Sequence, residues 1–217
     1  MTLSELNLSL FSWINASPEA SNTSIHFAIF IANDLLYCMI LLFAWFWLRG
    51  NYDTKKQILK AFIFTSIAIL ISQCISHVYY HPRPFVMEVG RTLIYHAPNG
   101  SFPSDHMLIF STIAFSYLFS AQRKLGGFLL IMAWLVAWSR VYLGVHFPLD
   151  MLGAFLMAFA LNFFGLKLWN LYKEKSCNGH SRFTFTYLSP SFKKAISNNF
   201  RSKTKKIPLE SGIFLMR

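Results

Sequence analysis

The chain has 217 residues, of which 54% are hydrophobic and only 13% are charged. Soluble domains usually carry about 25% charged residues, so this composition excludes an ordinary water-soluble domain and indicates a membrane protein. The net charge of +11 is concentrated in short basic clusters and does not form one continuous basic face with interleaved aromatic residues. We therefore expect no nucleic-acid partner and interpret the clusters as signals of membrane topology.

The N-terminal segment, residues 1–24, contains an apolar stretch that is too short to cross a membrane. Within Leu3–Ile14, apolar side chains recur at helical spacing, with polar side chains opposite them: Leu3, Leu6, Leu10 and Trp13. This pattern predicts a helix that lies in the membrane interface.

Five later stretches approach the roughly 20 apolar residues that a helix needs to cross the hydrocarbon core. They are Ile25–Leu48, Leu59–Tyr80, Ser104–Ala121, Leu125–Leu143 and Leu149–Trp169. The third and fourth are the shortest and have polar ends. The sequence therefore predicts an all-α membrane bundle of about five transmembrane helices. We place this transmembrane domain at residues 25–170, followed by a basic tail at residues 171–217.

Lysine and arginine are distributed unevenly between the two sides of such a bundle. The loops after the first and third spans and the tail fall on one side, and together they hold 17 of the 20 basic residues. Only Arg83, Arg91 and Arg140 fall on the other side. Because cytoplasmic segments are enriched in Lys and Arg, the tail is predicted to be cytoplasmic and the N-terminus external. In that position the tail can also contact anionic membrane lipids.

Polar and charged side chains converge on the external ends of the spans. They lie in the segments His81–Pro84, Ser101–His106 and Ser139–Asp150. Ionisable side chains near the end of a span are costly unless they have a partner or a function. Among the side chains of these segments are two arginines, two histidines, a serine and two aspartates, which at one level indicate a site for an anion.

The second of these segments is typical of an anion-binding helix start. Pro103 is expected early in the third span with Ser101 as its N-cap, so the amides of Ser104–His106 would point outward unpaired. The Ser104 hydroxyl adds a further donor to this cradle. The planar guanidinium groups of Arg83 and Arg140 are well suited to bind phosphate oxygens through paired hydrogen bonds.

The third segment predicts a histidine nucleophile. Asp150 follows His146 by four residues at the start of the last span, so its carboxylate can reach the imidazole. A carboxylate at one ring nitrogen fixes the tautomer and leaves the other nitrogen free to attack.

These segments resemble the motifs K-x6-R-P, P-S-G-H and S-R-x5-H-x3-D of the type 2 phosphatidic acid phosphatase superfamily. The third motif is complete in Ser139–Asp150, the second is present as P-S-D-H in Pro103–His106, and the first retains Arg83 and Pro84. The stretches SFPSDH and WSRVYLGVHFPLDMLG look like the bacitracin-resistance type of undecaprenyl-diphosphatase. The resemblance extends from the N-terminus through the fifth span.

The resemblance implies an enzyme that works through a phosphohistidine. It implies that His146 is the nucleophile, that Asp150 orients it, and that His106 protonates the leaving group and later activates water. The phosphoryl oxygens would be held by Arg83, Ser104 and Arg140. It further implies a polyprenyl diphosphate substrate, above all undecaprenyl diphosphate. This substrate would be cleaved to the monophosphate on the outer side of the bacterial plasma membrane, which recycles the cell-wall lipid carrier.

Two positions depart from the family pattern. Ser76 occupies the place of the first-motif lysine, so one cation is missing unless His77, His81 or Arg91 replaces it. Asp105 stands where the wider superfamily has glycine, and its charge would repel phosphate unless the carboxylate pairs or turns away.

Other functions stay open from the sequence. A related lipid phosphatase or phosphotransferase could act on lipid A or phosphatidylglycerophosphate, because one sequence does not define the groove for the lipid chain. A non-catalytic transport subunit for bacitracin tolerance is a further alternative, although the polar cluster lies at one surface and the chain has no internal repeat. We expect no metal or other cofactor, since no paired-carboxylate site is visible, and no obligate protein partner is implied.

Overall fold

The computed structural model describes the backbone of residues 2–187 and the side chains as far as residue 168. The described residues contain six helices and no β-strand: α1 (Leu3–Ile14), α2 (Asn22–Arg49), α3 (Tyr52–Val78), α4 (Asp105–Leu118), α5 (Arg123–Tyr142) and α6 (Pro148–Tyr187). Among the described residues, contacts place a boundary between Leu166 and Lys167. Residues 188–217 of the predicted basic tail lie outside the described residues.

Four of the described helices are long and apolar enough to cross a membrane. These segments are Asn22–Arg49, Tyr52–Val78, Arg123–Tyr142 and Pro148–Leu168. They coincide with the predicted first, second, fourth and fifth spans, and the largest difference is the earlier start of α3. The predicted polytopic helical bundle is confirmed.

The predicted third span is shorter than expected, because α4 has only 14 residues. Nine of them are buried. Helix α4 runs antiparallel to α3, since Asp105 at its start accepts a hydrogen bond from Ser72 and Ser116 near its end accepts one from Gln57. At about 1.5 Å per residue, α4 covers roughly 21 Å of the bundle interior, where it does not need the length of a lipid-exposed span.

Helix α1 has the predicted bounds and packs one face against the bundle. Phe11 is fully buried and meets the ring of Phe147 edge-on at 5.3 Å between centroids. The side-chain oxygen of Asn7 accepts a hydrogen bond from the backbone N–H of Leu149, in the first turn of α6. Trp13, on the opposite face, is 86% exposed. The position of this face in a membrane interface stays a prediction.

The long loop between α3 and α4 is held in place by hydrogen bonds of the Asn15 side chain, which lies just after α1. The Asn15 amide donates to the carbonyl oxygens of Arg91 and Tyr142, and its oxygen accepts from the Arg91 N–H. Gly144 lies against the same backbone with φ at +79°, and a β-carbon there would collide with the Arg91 carbonyl. The loop is thereby held against the end of α5.

Candidate active site

The structure brings together five of the residues that the sequence selected. Arg83, Ser104, Arg140, His146 and Asp150 are all buried at the end of the bundle where α4 and α6 begin and α5 ends. Charged side chains are seldom this buried unless they are paired or have a function. Their arrangement therefore needs a chemical explanation.

The imidazole of His146 is positioned by Asp150. His146 Nδ1 lies 3.5 Å from Asp150 Oδ2, a distance longer than an ordinary N–H···O hydrogen bond. The same carboxylate oxygen accepts the Phe147 N–H at 2.8 Å and the Ser101 hydroxyl. Asp150 is thus fixed from two sides and faces Nδ1 of the histidine.

Arg83 contacts the other nitrogen of the same imidazole. Its Nη1 lies 2.9 Å from His146 Nε2 and donates to the Val145 carbonyl at 2.8 Å. Its remaining nitrogens bind the Asn99 side chain and the Gly100 carbonyl. Since a guanidinium can only donate, Nε2 accepts and the proton is on Nδ1, toward Asp150. The Nε2 lone pair is therefore directed at Arg83, and a phosphoryl group must displace that contact before it can be attacked.

Four buried side-chain nitrogens and oxygens at this site have no hydrogen-bond partner among the described residues. Two of them, Nδ1 of His81 and Nδ1 of His146, face the Asp150 carboxylate, and the other two are donors: Arg140 Nε and the Ser104 hydroxyl. More than nine in ten buried polar groups are normally paired, so two orphan donors at one site indicate a ligand. Ser104 is also the N-cap residue of α4, whose first-turn amides point the same way. Together they form a cradle for an anion.

His106 is half-buried in the first turn of α4. The positive charge of Arg140 acts on its imidazole. His106 therefore lies at the same end of the bundle as the five buried residues. Their roles in catalysis stay predictions.

The predicted start Ser104 of the third span is one residue from the observed start of α4, but the predicted N-cap, Ser101, was wrong. Ser104 is the N-cap and Asp105 begins the helix, so Ser101 and Pro103 precede it. The Ser101 N–H donates to the His81 carbonyl at 2.7 Å, and this bond holds Ser101 in the loop. Its hydroxyl binds Asp150, a role for which the local sequence gives no signal.

The structure also explains the two departures from the family pattern. The Asp105 carboxylate accepts a hydrogen bond from Ser72 at 2.8 Å, so it turns toward α3. Ser76 donates to the Phe102 carbonyl and supports the loop before α4. Arg91 donates to the Ser17 carbonyl, while His81 Nδ1 lies 3.6 Å from Asp150 Oδ1. Arg91 therefore does not replace the missing lysine, and His81 is a second imidazole beside the carboxylate.

Burial and charge set the protonation of the two groups in contact. Burial lowers the pKa of Arg83 to about 10, opposed by the charges of Asp150 and Asp105, and the guanidinium stays charged at neutral pH. Burial lowers the pKa of His146 to about 3; the Asp150 contact opposes this shift and the charge of Arg83 adds to it. A neutral imidazole at pH 7 is the form that can attack phosphorus.

The buried His146 makes the stability of the fold depend on pH. Its folded pKa of about 3 lies below the value of about 6.5 for an unfolded chain. Between these values the unfolded state binds a proton that the folded state does not, so stability is complete above pH 6.5 and falls as the pH drops toward 3. We expect the decrease in Tm from pH 7 to pH 5, measured in detergent, to be about 4–8 °C smaller in His146→Gln. His26→Gln is the control for loss of an exposed imidazole, and equal slopes in wild type and His146→Gln would contradict the expectation.

A comparison of the sequence with known protein families selects the region that holds these site residues. Residues 57–174, which include every motif segment, match the PAP2 superfamily. The chain belongs to the PAP2 superfamily. It is therefore a multi-pass membrane phosphatase, as the sequence predicted.

Three similar proteins illustrate the relationship. The chain is 43% identical over 154 residues to YbjG of Escherichia coli (strain K12), across 71% of this chain and 78% of that protein. It is 34% identical over 158 residues to the undecaprenyl-diphosphatase BcrC of Bacillus subtilis (strain 168), across 73% and 81% of the two chains. Its fold is similar to the crystal structure of Aquifex aeolicus LpxE, with a TM-score of 0.64 and 24% identity over 77% of this chain and 99% of the other.

Proposed function

We propose that this PAP2 phosphatase cleaves a polyprenyl diphosphate, above all undecaprenyl diphosphate, to the monophosphate and inorganic phosphate. The observation that carries the proposal is the pair of buried, unpartnered donors, Arg140 and Ser104, beside the neutral imidazole of His146. The name of the similar BcrC supports this choice of substrate. The reaction would return the lipid carrier of cell-wall synthesis to its monophosphate form.

In the first step, His146 takes the terminal phosphoryl group. The phosphoryl oxygens bind Arg140, the Ser104 hydroxyl and the first amides of α4, while Arg83 exchanges its contact with Nε2 for one with phosphate. Nε2 then attacks phosphorus in line, the new N–P bond forms, and the bridging P–O bond breaks. Donors already fixed around the equatorial oxygens stabilise the charge that develops there.

His106 acts in both steps of the reaction. It gives a proton to the departing bridging oxygen, then accepts one from the water that attacks the phosphohistidine. Asp150 faces Nδ1 throughout and stabilises the cationic ring of the phosphorylated histidine. Release of inorganic phosphate restores the neutral imidazole.

We further propose that the site opens on the periplasmic or extracellular side of a bacterial plasma membrane. In this arrangement residues 1–24 form the interfacial segment, residues 25–170 the transmembrane phosphatase domain, and residues 171–217 the basic cytoplasmic tail. The support is the charge distribution, since 17 of the 20 basic residues fall on the side opposite Arg83 and Arg140.

Thiol labelling in intact cells tests this orientation. In a chain with Cys38 and Cys74 replaced by alanine, Tyr95→Cys should react with an impermeant maleimide, while Cys177 should react only after the cells are opened. Tyr95 is 94% exposed and makes a suitable probe, whereas Asn99 binds Arg83 and should be left intact. Labelling of Cys177 alone in intact cells would place the site in the cytoplasm.

Phosphate release by the purified protein tests the substrate. Undecaprenyl diphosphate, a lipid A phosphate and phosphatidylglycerophosphate are compared at matched detergent mole fractions, and kcat/KM should be highest for the first. A higher value for either of the other lipids would replace the proposed substrate with that lipid. Absence of phosphate release from all three would overturn the proposal.

A further inference from the structure

A third imidazole, that of His96, lies next to the proposed nucleophile. The ring centroids of His96 and His146 are 6.1 Å apart, and their planes meet at 76°. His96 is half-buried in the loop between α3 and α4 and belongs to none of the three motifs. Its position beside the proposed nucleophile calls for a role of its own.

The His96 ring is oriented by its own loop. Its Nδ1 lies 3.1 Å from the Ala97 carbonyl oxygen, and since a carbonyl only accepts, Nδ1 carries the proton and Nε2 is left for another partner. The following residues, Asn99 and Gly100, bind Arg83. His96 and the arginine that contacts the nucleophile are therefore held by one short stretch of backbone.

The charge of His96 depends on what the site contains. Burial lowers the pKa of His96, and the positive charges of Arg83 and Arg140 lower it further, so the ring is neutral before substrate binds. A bound diphosphate adds several negative charges close to His96. These charges raise the pKa of the ring and oppose the effect of the two arginines. Nε2 can then take up a proton and become a charged donor.

The diphosphate geometry gives this donor a target. Phosphorus under attack must lie about 3–3.5 Å from His146 Nε2. The next phosphate of the same substrate, one bridging oxygen away, then falls within reach of an imidazole centred 6.1 Å from the nucleophile's ring. A monophosphate has no group at that position.

We propose that His96 binds the inner phosphate of a lipid diphosphate, the group that departs with the lipid, and so makes the site prefer diphosphates to monophosphates. This role rests on the proposed function. It also accounts for the missing first-motif lysine, because Ser76 supports the loop before α4 and supplies no charge. His96 provides a positive charge only when a diphosphate is present.

The test compares farnesyl diphosphate with farnesyl monophosphate, two substrates that share one lipid chain. His96→Ala should lower kcat/KM on the diphosphate about 10- to 100-fold, the range for a hydrogen bond to a charged group, and on the monophosphate less than about threefold. If the wild type does not turn over the monophosphate, its competitive inhibition constant is compared instead. The proposal would be overturned if His96→Ala weakened the diphosphate and the monophosphate equally, so that the ratio of their kcat/KM values, or of their binding constants, stayed at the wild-type value.

Two further variants separate phosphate binding from a structural role in the loop. His96→Lys restores a cation and should recover much of the diphosphate preference, which repair of a damaged loop would not do. Tyr95→Ala changes the exposed neighbour in the same loop and should keep the wild-type ratio. If His96→Lys shows the same loss as His96→Ala, the role is structural and the proposal is wrong. A wild-type protein that cleaves neither diphosphate nor monophosphate would instead overturn the proposed function itself.

Discussion

His146→Ala is expected to abolish turnover, with a loss of at least about 10⁴- to 10⁶-fold in kcat, the range seen when an enzyme loses its nucleophile. The reason is geometric. His146 has Nδ1 facing Asp150 and Nε2 facing Arg83, so its lone pair is already directed at the position that a phosphoryl group must enter. His106 is the second residue of α4, and among the described residues Asp150 faces His146 and not His106, so His106 cannot replace the lost nitrogen.

The phosphohistidine intermediate can be measured directly by rapid quenching of the reaction with a diphosphate that is labelled in its terminal phosphate. The wild type should yield a protein-bound phosphate that is labile in acid and stable in base, as expected for a phosphoramidate, and His146→Ala should yield none. His77→Ala removes an exposed histidine near the end of α3 and should leave the labelled intermediate unchanged. Persistence of the same intermediate in His146→Ala would assign the nucleophile to another residue.

The long spans could be predicted because lipid exposure demands continuous apolar sequence. Helix α4 shows where this signal weakens. Its buried face includes Ser111, Thr112 and Ser116, which lower its hydropathy, and the interior of the bundle tolerates them because they face protein. Its end was also hidden from the sequence, since Ser120 bonds to the Tyr117 carbonyl through both its N–H and its hydroxyl and so terminates the helix early.

The site was predictable to the extent that its geometry is local. His146 and Asp150 are one helical turn apart, so their contact follows from spacing alone. The contacts of Ser101 with Asp150 and of His96 with His146 join positions about 50 residues apart. They depend on a loop whose conformation is fixed by Asn15, 76 residues from its partner Arg91. No local pattern in a single sequence encodes such pairings.

His106→Ala is expected to separate the two classes of substrate. Cleavage of a diphosphate expels a phosphate monoester, which is a far better leaving group than the alkoxide expelled from a lipid monophosphate. A proton on the departing oxygen therefore matters less for the diphosphate, and general-acid assistance contributes typically about 10²–10⁴-fold. We expect His106→Ala to retain measurable activity on the diphosphate and to lose more on the monophosphate, whereas His146→Ala should lose activity on both.

The position of His106 makes this comparison informative. It is half-buried in the first turn of α4, two residues after Ser104, whose hydroxyl would bind the same phosphoryl group. The measurement is kcat/KM for wild type and His106→Ala on farnesyl diphosphate and farnesyl monophosphate, expressed as differences in transition-state free energy. Because His106 should act on the bridging oxygen and His96 on the inner phosphate, the two substitutions should change the substrate ratio in opposite directions: His106→Ala raises the preference for diphosphate and His96→Ala lowers it. Equal damage by His106→Ala on both substrates would mean that activation of water, a step common to both reactions, limits the variant.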